Sequence, residues 1–200
     1  MAGWLVVAAW GALVVALNAL RVFATPPERP PVPLLIAVLR PPIVFGLAYA
    51  SSARVRAWAL RLDLRLLTAM QAWRVIGGMF LVLMWFRVLP GTFAWPAGIG
   101  DLIVGAYAPF VVVAIARRTP GWQRHVVALN VLGLLDFVGA IGGGVLSGRS
   151  PIGLLRGDVT TDVMQELPLS MIPTFAVPFW IILHLISLVQ VRAESRGLTA

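Results

Sequence analysis

An all-α, polytopic membrane bundle of six transmembrane helices is the fold this sequence predicts, on three observations. Apolar runs of about 20 residues, the length a helix needs to cross a bilayer, recur along the whole chain. Hydrophobic residues make up 60% of the 200 residues and charged ones 12%, against roughly a quarter in a soluble domain. The mean hydropathy is +0.90. All 16 basic residues are arginine, and nearly all lie in short segments between the apolar runs.

These numbers exclude whole classes of function. One membrane domain fills residues 1–200 and leaves no room for a soluble one. The net charge of +8 would fit nucleic acid, but arginines spread over interhelical loops are accounted for by lipid headgroups and topology, so no nucleic-acid partner is expected. The absence of cysteine rules out disulfides, thiolate catalysis, iron–sulfur clusters and cysteine-type zinc sites. An all-arginine basic set reads as the codon usage of a GC-rich bacterium, which points to a bacterial cytoplasmic membrane.

The expected spans are 4–23, 32–50, 68–89, 95–116, 124–146 and 171–191. The first is interrupted by Asn18 and Arg21. It lacks the basic start of a signal peptide and is longer than a typical signal core, so it reads as a retained helix. Thr25 to Pro31 is a proline-rich extended linker. The second span carries Arg40-Pro41-Pro42 at its centre. A central arginine costs about 2.5–3.5 kcal/mol on insertion scales, and paired prolines withhold backbone hydrogen bonds that lipid cannot replace. This span is therefore expected to be broken; a segment that dips in and returns, leaving five spans, is the alternative.

Ser51 to Leu67 sets Arg54, Arg56, Arg61 and Arg65 among Trp58, Leu60, Leu62 and Leu66, the pattern of an amphipathic surface helix. Pro90-Gly91-Thr92 is the turn before the fourth span. The polar connection 147–170 contains a short helix signal, with Asp162 as N-cap, Gln165 three residues on, and a stop at Pro168. Pro173 and Pro178 should kink the last span. Trp73, Trp85, Trp95 and Trp122 read as interfacial belt residues. Hydropathy favours six spans and the arginine distribution favours five. In either arrangement the 147–170 loop is outward and the C-terminus cytoplasmic.

The functional signal is a set of polar side chains inside the spans: Arg74, Asp101, Asn130, Asp136 and His184. Ionisable groups in lipid are costly and face the bundle interior, where they pair or work. At 1.5 Å per residue, they are expected as a staircase. Arg74, Asn130 and His184 fall in the inner third, Asp136 at the midplane, and Asp101 in the outer third beneath Arg87. Gly133, Gly139, Ala140 and Gly143 share the Asp136 face, so Asp136 points at protein. A buried salt bridge between Arg74 and Asp136 is the plain structural reading. For Asp101 it is a cap or a pair with Arg87. For His184 it is a bond to the Thr174 carbonyl released by Pro178. Gly98-Ile99-Gly100-Asp101 and Gly133-Leu134-Leu135-Asp136 also form a weak inverted echo, a pattern typical of transporters.

Cofactor chemistry finds little support. His125 and His184 differ in expected depth by roughly 8 Å, which rules against bis-histidine haem. Asp158, Asp162 and Glu166 lie near one another without a histidine, at most a loose cation site. No phosphate-binding or dinucleotide loop is present. No cofactor or metal is expected. The leading functional expectation is a small-solute or ion permease, with Asp136 binding a proton or cation and Arg74 and His184 as its partners. So small a chain would enclose a path as a homodimer or with a partner membrane subunit, in a lipid bilayer. A non-catalytic membrane subunit or scaffold, and a membrane-embedded enzyme acting on a lipid or isoprenoid, are the alternatives.

Overall fold

In the computed structural model, which describes residues 2–196, the fold is all-helical, with no strand among the described residues. Five helices are long and apolar enough to cross a membrane: Val32–Ser51, Leu64–Trp85, Gly91–Arg117, Trp122–Leu146 and Ile172–Ser195. Helix α1 (Ala2–Ala19) is a sixth, shorter one, with its apolar stretch over Leu5–Ala19. The α1 helix stops four residues earlier than hydropathy suggests, because Arg21 turns left-handed at φ 57°.

Helix α2 (Val32–Ser51) runs unbroken through Arg40-Pro41-Pro42, correcting the expected break and the dipping segment. Each proline holds the φ a helix requires but withdraws one donor and presses its ring on the carbonyl four residues back, at a cost of about 3 kcal/mol; α2 accommodates both without a break. Arg40 stays on the exposed side and Pro42 is buried.

The 51–67 stretch is likewise not one surface helix. Helix α3 (Ala53–Leu60) is capped by the Ser52 side chain. The chain then breaks, and the Asp63 side chain accepts from the Arg65 amide to start α4 (Leu64–Met70). The third long helix continues as a 3₁₀ stretch (Gln71–Gly78) and then α5 (Met79–Trp85). It begins and ends four residues before the expected 68–89. Arg87 at φ 57° closes its end, and Pro90 stands at the N-cap of α6 (Gly91–Arg117). Hydropathy misses these ends because Arg65 and Gly91-Thr92 dilute otherwise apolar first turns, and because Arg87 turns the chain inside an apolar run.

Helix α6 is the central element, packed on the third long helix and on α7 (Trp122–Leu146). Its inward face is mostly small: Ala94, Ala97, Gly98, Gly105 and Ala108 are buried. Lipid is as apolar as a protein core, so helices in a bilayer associate through close packing of this kind rather than through hydrophobic exclusion. Gly105 shows the closeness: a Cβ there would lie 2.6 Å from the Val75 amide nitrogen. A π-turn (Ile172–Ala176) leads into α8 (Val177–Ser195), with Pro173 in the turn and Pro178 in the first turn of α8.

One end of the bundle gathers the 20–31 linker, residues 86–90 and the 147–170 connection. The other gathers α3, residues 118–121 and the end of α8. At the first end Arg21 pairs with Glu166 at 2.9 Å, and the Thr25 amide donates to Gln165. The short helix there is a 3₁₀ turn (Thr161–Gln165) with Thr160 at the N-cap, not Asp162. Asp162 instead pairs with Arg149 at 3.1 Å and accepts from the Arg149 amide.

Candidate functional site

Arg74 stands at the centre of the bundle, and the other four polar residues singled out above gather around it, Asn130 by way of His184. Its Nε donates to Asp101 Oδ1 at 2.6 Å, its Nη2 donates to Asp136 Oδ2, and its Nη1 lies 3.4 Å from the Gly133 carbonyl and 3.2 Å from His184 Nε2. The guanidinium also lies over the Phe137 ring, 4.0 Å from its centre. Arg74 has no acceptor to offer, so His184 Nε2 must accept and Nδ1 must carry the ring proton. That proton goes to Asn130 Oδ1 at 2.7 Å, and Asn130 Nδ2 donates to the Val126 carbonyl at 2.7 Å. Arg74, Asn130 and His184 are all buried.

The expected staircase is thus a single cluster. The error lies in the rise per residue and in the helix ends. A 3₁₀ turn rises about 2.0 Å per residue, so Arg74 lies about 17 Å from Leu64, near the middle of its helix. Asp101 lies about 15 Å from Gly91, since α6 starts earlier than expected. Asp101 pairs with Arg74 and not with Arg87, which makes no ion pair among the described residues. His184 bonds Asn130 and Arg74 and not the Thr174 carbonyl.

Glycines make the meeting sterically feasible. A Cβ on Gly77 would overlap the Asp101 carboxylate, one on Gly100 the Asp136 carboxylate, and one on Gly133 the His184 ring. Each polar side chain therefore occupies space that a neighbouring helix leaves empty. The signal is present in sequence as Arg74…Gly77, Gly100-Asp101 and Gly133…Asp136. Gly139, by contrast, faces open space and packs against nothing, whereas Gly143 meets the backbone at Thr92 and Phe93.

The cluster closes one end of a cavity of about 380 Å³. Leu34, Leu35 and Val38 of α2 form one wall, and Ile76 and Met79 of the third long helix form another. Ile76 and Met79 are each 54% exposed, so the cavity reaches the flank of the bundle between these two helices. Trp73 lines it beside Arg74, at mid-helix rather than at an interface. Trp122 is also no belt residue: it is buried under Arg118, which lies 4.8 Å above its ring. Trp85 and Trp95 are exposed near helix ends.

The walls are mostly apolar, and charge stands at both ends: Arg74, Asp101 and Asp136 at the closed one, Arg29 and Asp162 toward the 147–170 connection. Asp101 and Asp136 keep 15% and 9% of their side-chain surface accessible. Each gives one oxygen to Arg74, and the second oxygen of each takes no hydrogen bond from the described residues. One guanidinium can neutralise only one of two carboxylates, so the other is the group free to take a proton or a cation. Arg74, with its donors directed at two carboxylates, a carbonyl and an imidazole, has little left for an anionic headgroup.

The remaining candidates stay apart. His125 is exposed and 2.8 Å from the Tyr107 hydroxyl. Glu166 and Asp162 face separate arginines, Asp158 is exposed, and the described residues contain no cluster of three metal-ligating groups.

A family model described as "Domain of unknown function (DUF8737)" matches residues 31–192, which takes in the whole cluster and leaves α1 outside. No curated protein and no solved structure matches the chain.

Proposed function

The chain belongs to the DUF8737 family, and from the site it carries we propose that it is a small bacterial integral membrane protein working as a permease. It takes a proton or a cationic solute onto Asp101 and Asp136. One observation carries this reading: an apolar cavity ends on two carboxylates that share a single guanidinium. Charge complementarity then selects a cation, and the apolar walls select a hydrophobic body behind it. With α1 taken as a sixth span, the bundle's α3 end is the side on which α1 begins and α8 ends; the arginines at α3, 117–124 and 192–196 support the reading of that side as the cytoplasmic one.

The lipid-enzyme alternative would use Arg74 to hold an acidic headgroup. The two carboxylates already bound to that guanidinium speak against it. Uptake of radiolabelled tetraphenylphosphonium, a hydrophobic cation, into vesicles containing the purified protein tests the proposal. Protein-dependent uptake that falls at least ten-fold in Asp136→Asn is expected. Uptake equal to wild type in that variant, or none above protein-free vesicles, contradicts it.

A further inference from the structure

The half of the bundle beyond Arg74, away from the cavity, is not uniformly apolar. On the third long helix Thr68, Gln71 and Arg74 recur every three residues. A 3₁₀ turn places i and i+3 in line, so Gln71 and Arg74 share one face. On α8, His184, Ser187 and Gln190 recur at the same spacing. All six are buried. The two helices pack together through Leu67 and Met70 against Leu183 and Ile186, and Arg74 meets His184 at the cavity end of this contact.

At the far end Gln190 Nε2 donates to the Ala59 and Leu62 carbonyls at 2.7 and 2.9 Å. Gln190 also lines a second cavity of about 530 Å³, together with the charged Asp63, Arg65, Arg118 and Glu194. Both amide atoms of Gln71, between the two ends, and the Oε1 of Gln190, at the far one, are buried with no hydrogen-bond partner among the described residues. The Thr68 and Ser187 hydroxyls donate backwards to Leu64 and Leu183, which leaves their lone pairs free to accept. Apolar side chains would pack these positions at less cost, since an unpaired buried amide loses its hydration without replacement. Polar groups of this kind are the ones that hold bridging water.

We propose that Gln71, Thr68, Ser187 and Gln190 hold a water-filled proton path. It joins the mid-helix carboxylates to the charged cavity at the opposite end. The proposal rests on the reading that Asp101 and Asp136 are the ion-binding groups. The step is a proton hop: a carboxyl O–H breaks as a water O–H forms, and each water passes on one proton as it receives another. The proton leaves as hydronium at the Gln190 cavity, so no oxidant or reductant is involved. Arg74 keeps its charge throughout and carries no proton; with His184 it marks the upper end of the path.

Proton flux tests it, with the full-length protein in vesicles holding a trapped pH-sensitive dye and an imposed potassium diffusion potential. Wild type is expected to conduct protons above protein-free vesicles. Gln71→Leu should lower that flux at least ten-fold while tetraphenylphosphonium still binds, because the cavity is untouched. Gln71→Leu should also unfold no more readily than wild type, since it replaces two unpaired polar atoms with apolar ones of similar shape. Gln190→Leu is the second variant, should the first fail to fold. Wild-type conductance in a folded Gln71→Leu overturns the path. If Asp136→Asn alone then loses flux, the carboxylate reading stands without it. Conductance unchanged in Asp136→Asn, or absent from wild type, overturns the path as well.

Discussion

Arg74 Nη1 lies 3.2 Å from His184 Nε2, so an arginine deep in the bundle is held by an imidazole that can only be accepting from it. His184 passes this constraint on through Nδ1 to Asn130. Removing the ring leaves an arginine donor and an asparagine oxygen unmatched in a buried place. His184→Ala should therefore cost about 2–4 kcal/mol, from two unpaired groups at about 1–3 kcal/mol each with partial relaxation. Denaturant unfolding in mild detergent checks it. His184→Gln, which can still place an oxygen near Arg74, should recover part of the loss.

The two carboxylates should be individually dispensable for folding and jointly required. With either one changed to asparagine, Arg74 keeps a counter-charge. With both changed, it is a lone buried cation. Removing the last partner of a buried ion pair costs about 3–5 kcal/mol. Asp101→Asn and Asp136→Asn should each yield a monodisperse protein in size-exclusion chromatography, and the double variant should aggregate or fail to accumulate. A stable double variant would mean that Arg74 escapes to water.

Glycine positions should divide by what they face. At Gly105 an added Cβ meets the backbone amide of Val75 at 2.6 Å, and overpacking of this kind costs about 1–3 kcal/mol. Gly139 has nothing within 4 Å, so Gly139→Ala should be neutral or stabilising by up to about 1 kcal/mol, the intrinsic preference for alanine in a helix. Thermal unfolding of the two variants side by side decides this. At Gly100 the added methyl would displace the Asp136 carboxylate, so Gly100→Ala should lower cation uptake as Asp136→Asn does.

The apolar wall offers a steric test. Ala140 lines the cavity on α7, one turn from Asp136. Ala140→Trp should weaken tetraphenylphosphonium binding at least ten-fold while leaving the Arg74 cluster intact. Unchanged binding would place the ligand elsewhere.

What can be read from the sequence follows from what distinguishes one residue from its neighbours. Arg74, Asp101, Asn130, Asp136 and His184 stand out because polar groups are rare in apolar runs. Their meeting is not legible, because depth counted at a uniform α-helical rise fails where Gln71–Gly78 becomes 3₁₀. The helices themselves follow from length and hydropathy. The continuity of α2 does not, because paired prolines are compatible with a helix that continues as well as with one that stops. The glycines at 77, 100 and 133 carry a signal that is spatial: each matters for a side chain on another helix, which no pattern within one run reveals. Trp73 and Trp122 mislead for different reasons: the helix that holds Trp73 begins at Leu64, which puts it mid-helix, while Trp122 does begin α7 but is buried in protein.

The most direct measurement is equilibrium binding of radiolabelled tetraphenylphosphonium to the purified protein in nanodiscs, wild type against Asp101→Asn and Asp136→Asn. The wild type is predicted to bind saturably at one site per chain, and each variant at least ten-fold more weakly, because either substitution leaves only the carboxylate that Arg74 neutralises. Equal binding by all three proteins would contradict the account, since the cation would then be held by something other than the two carboxylates around Arg74.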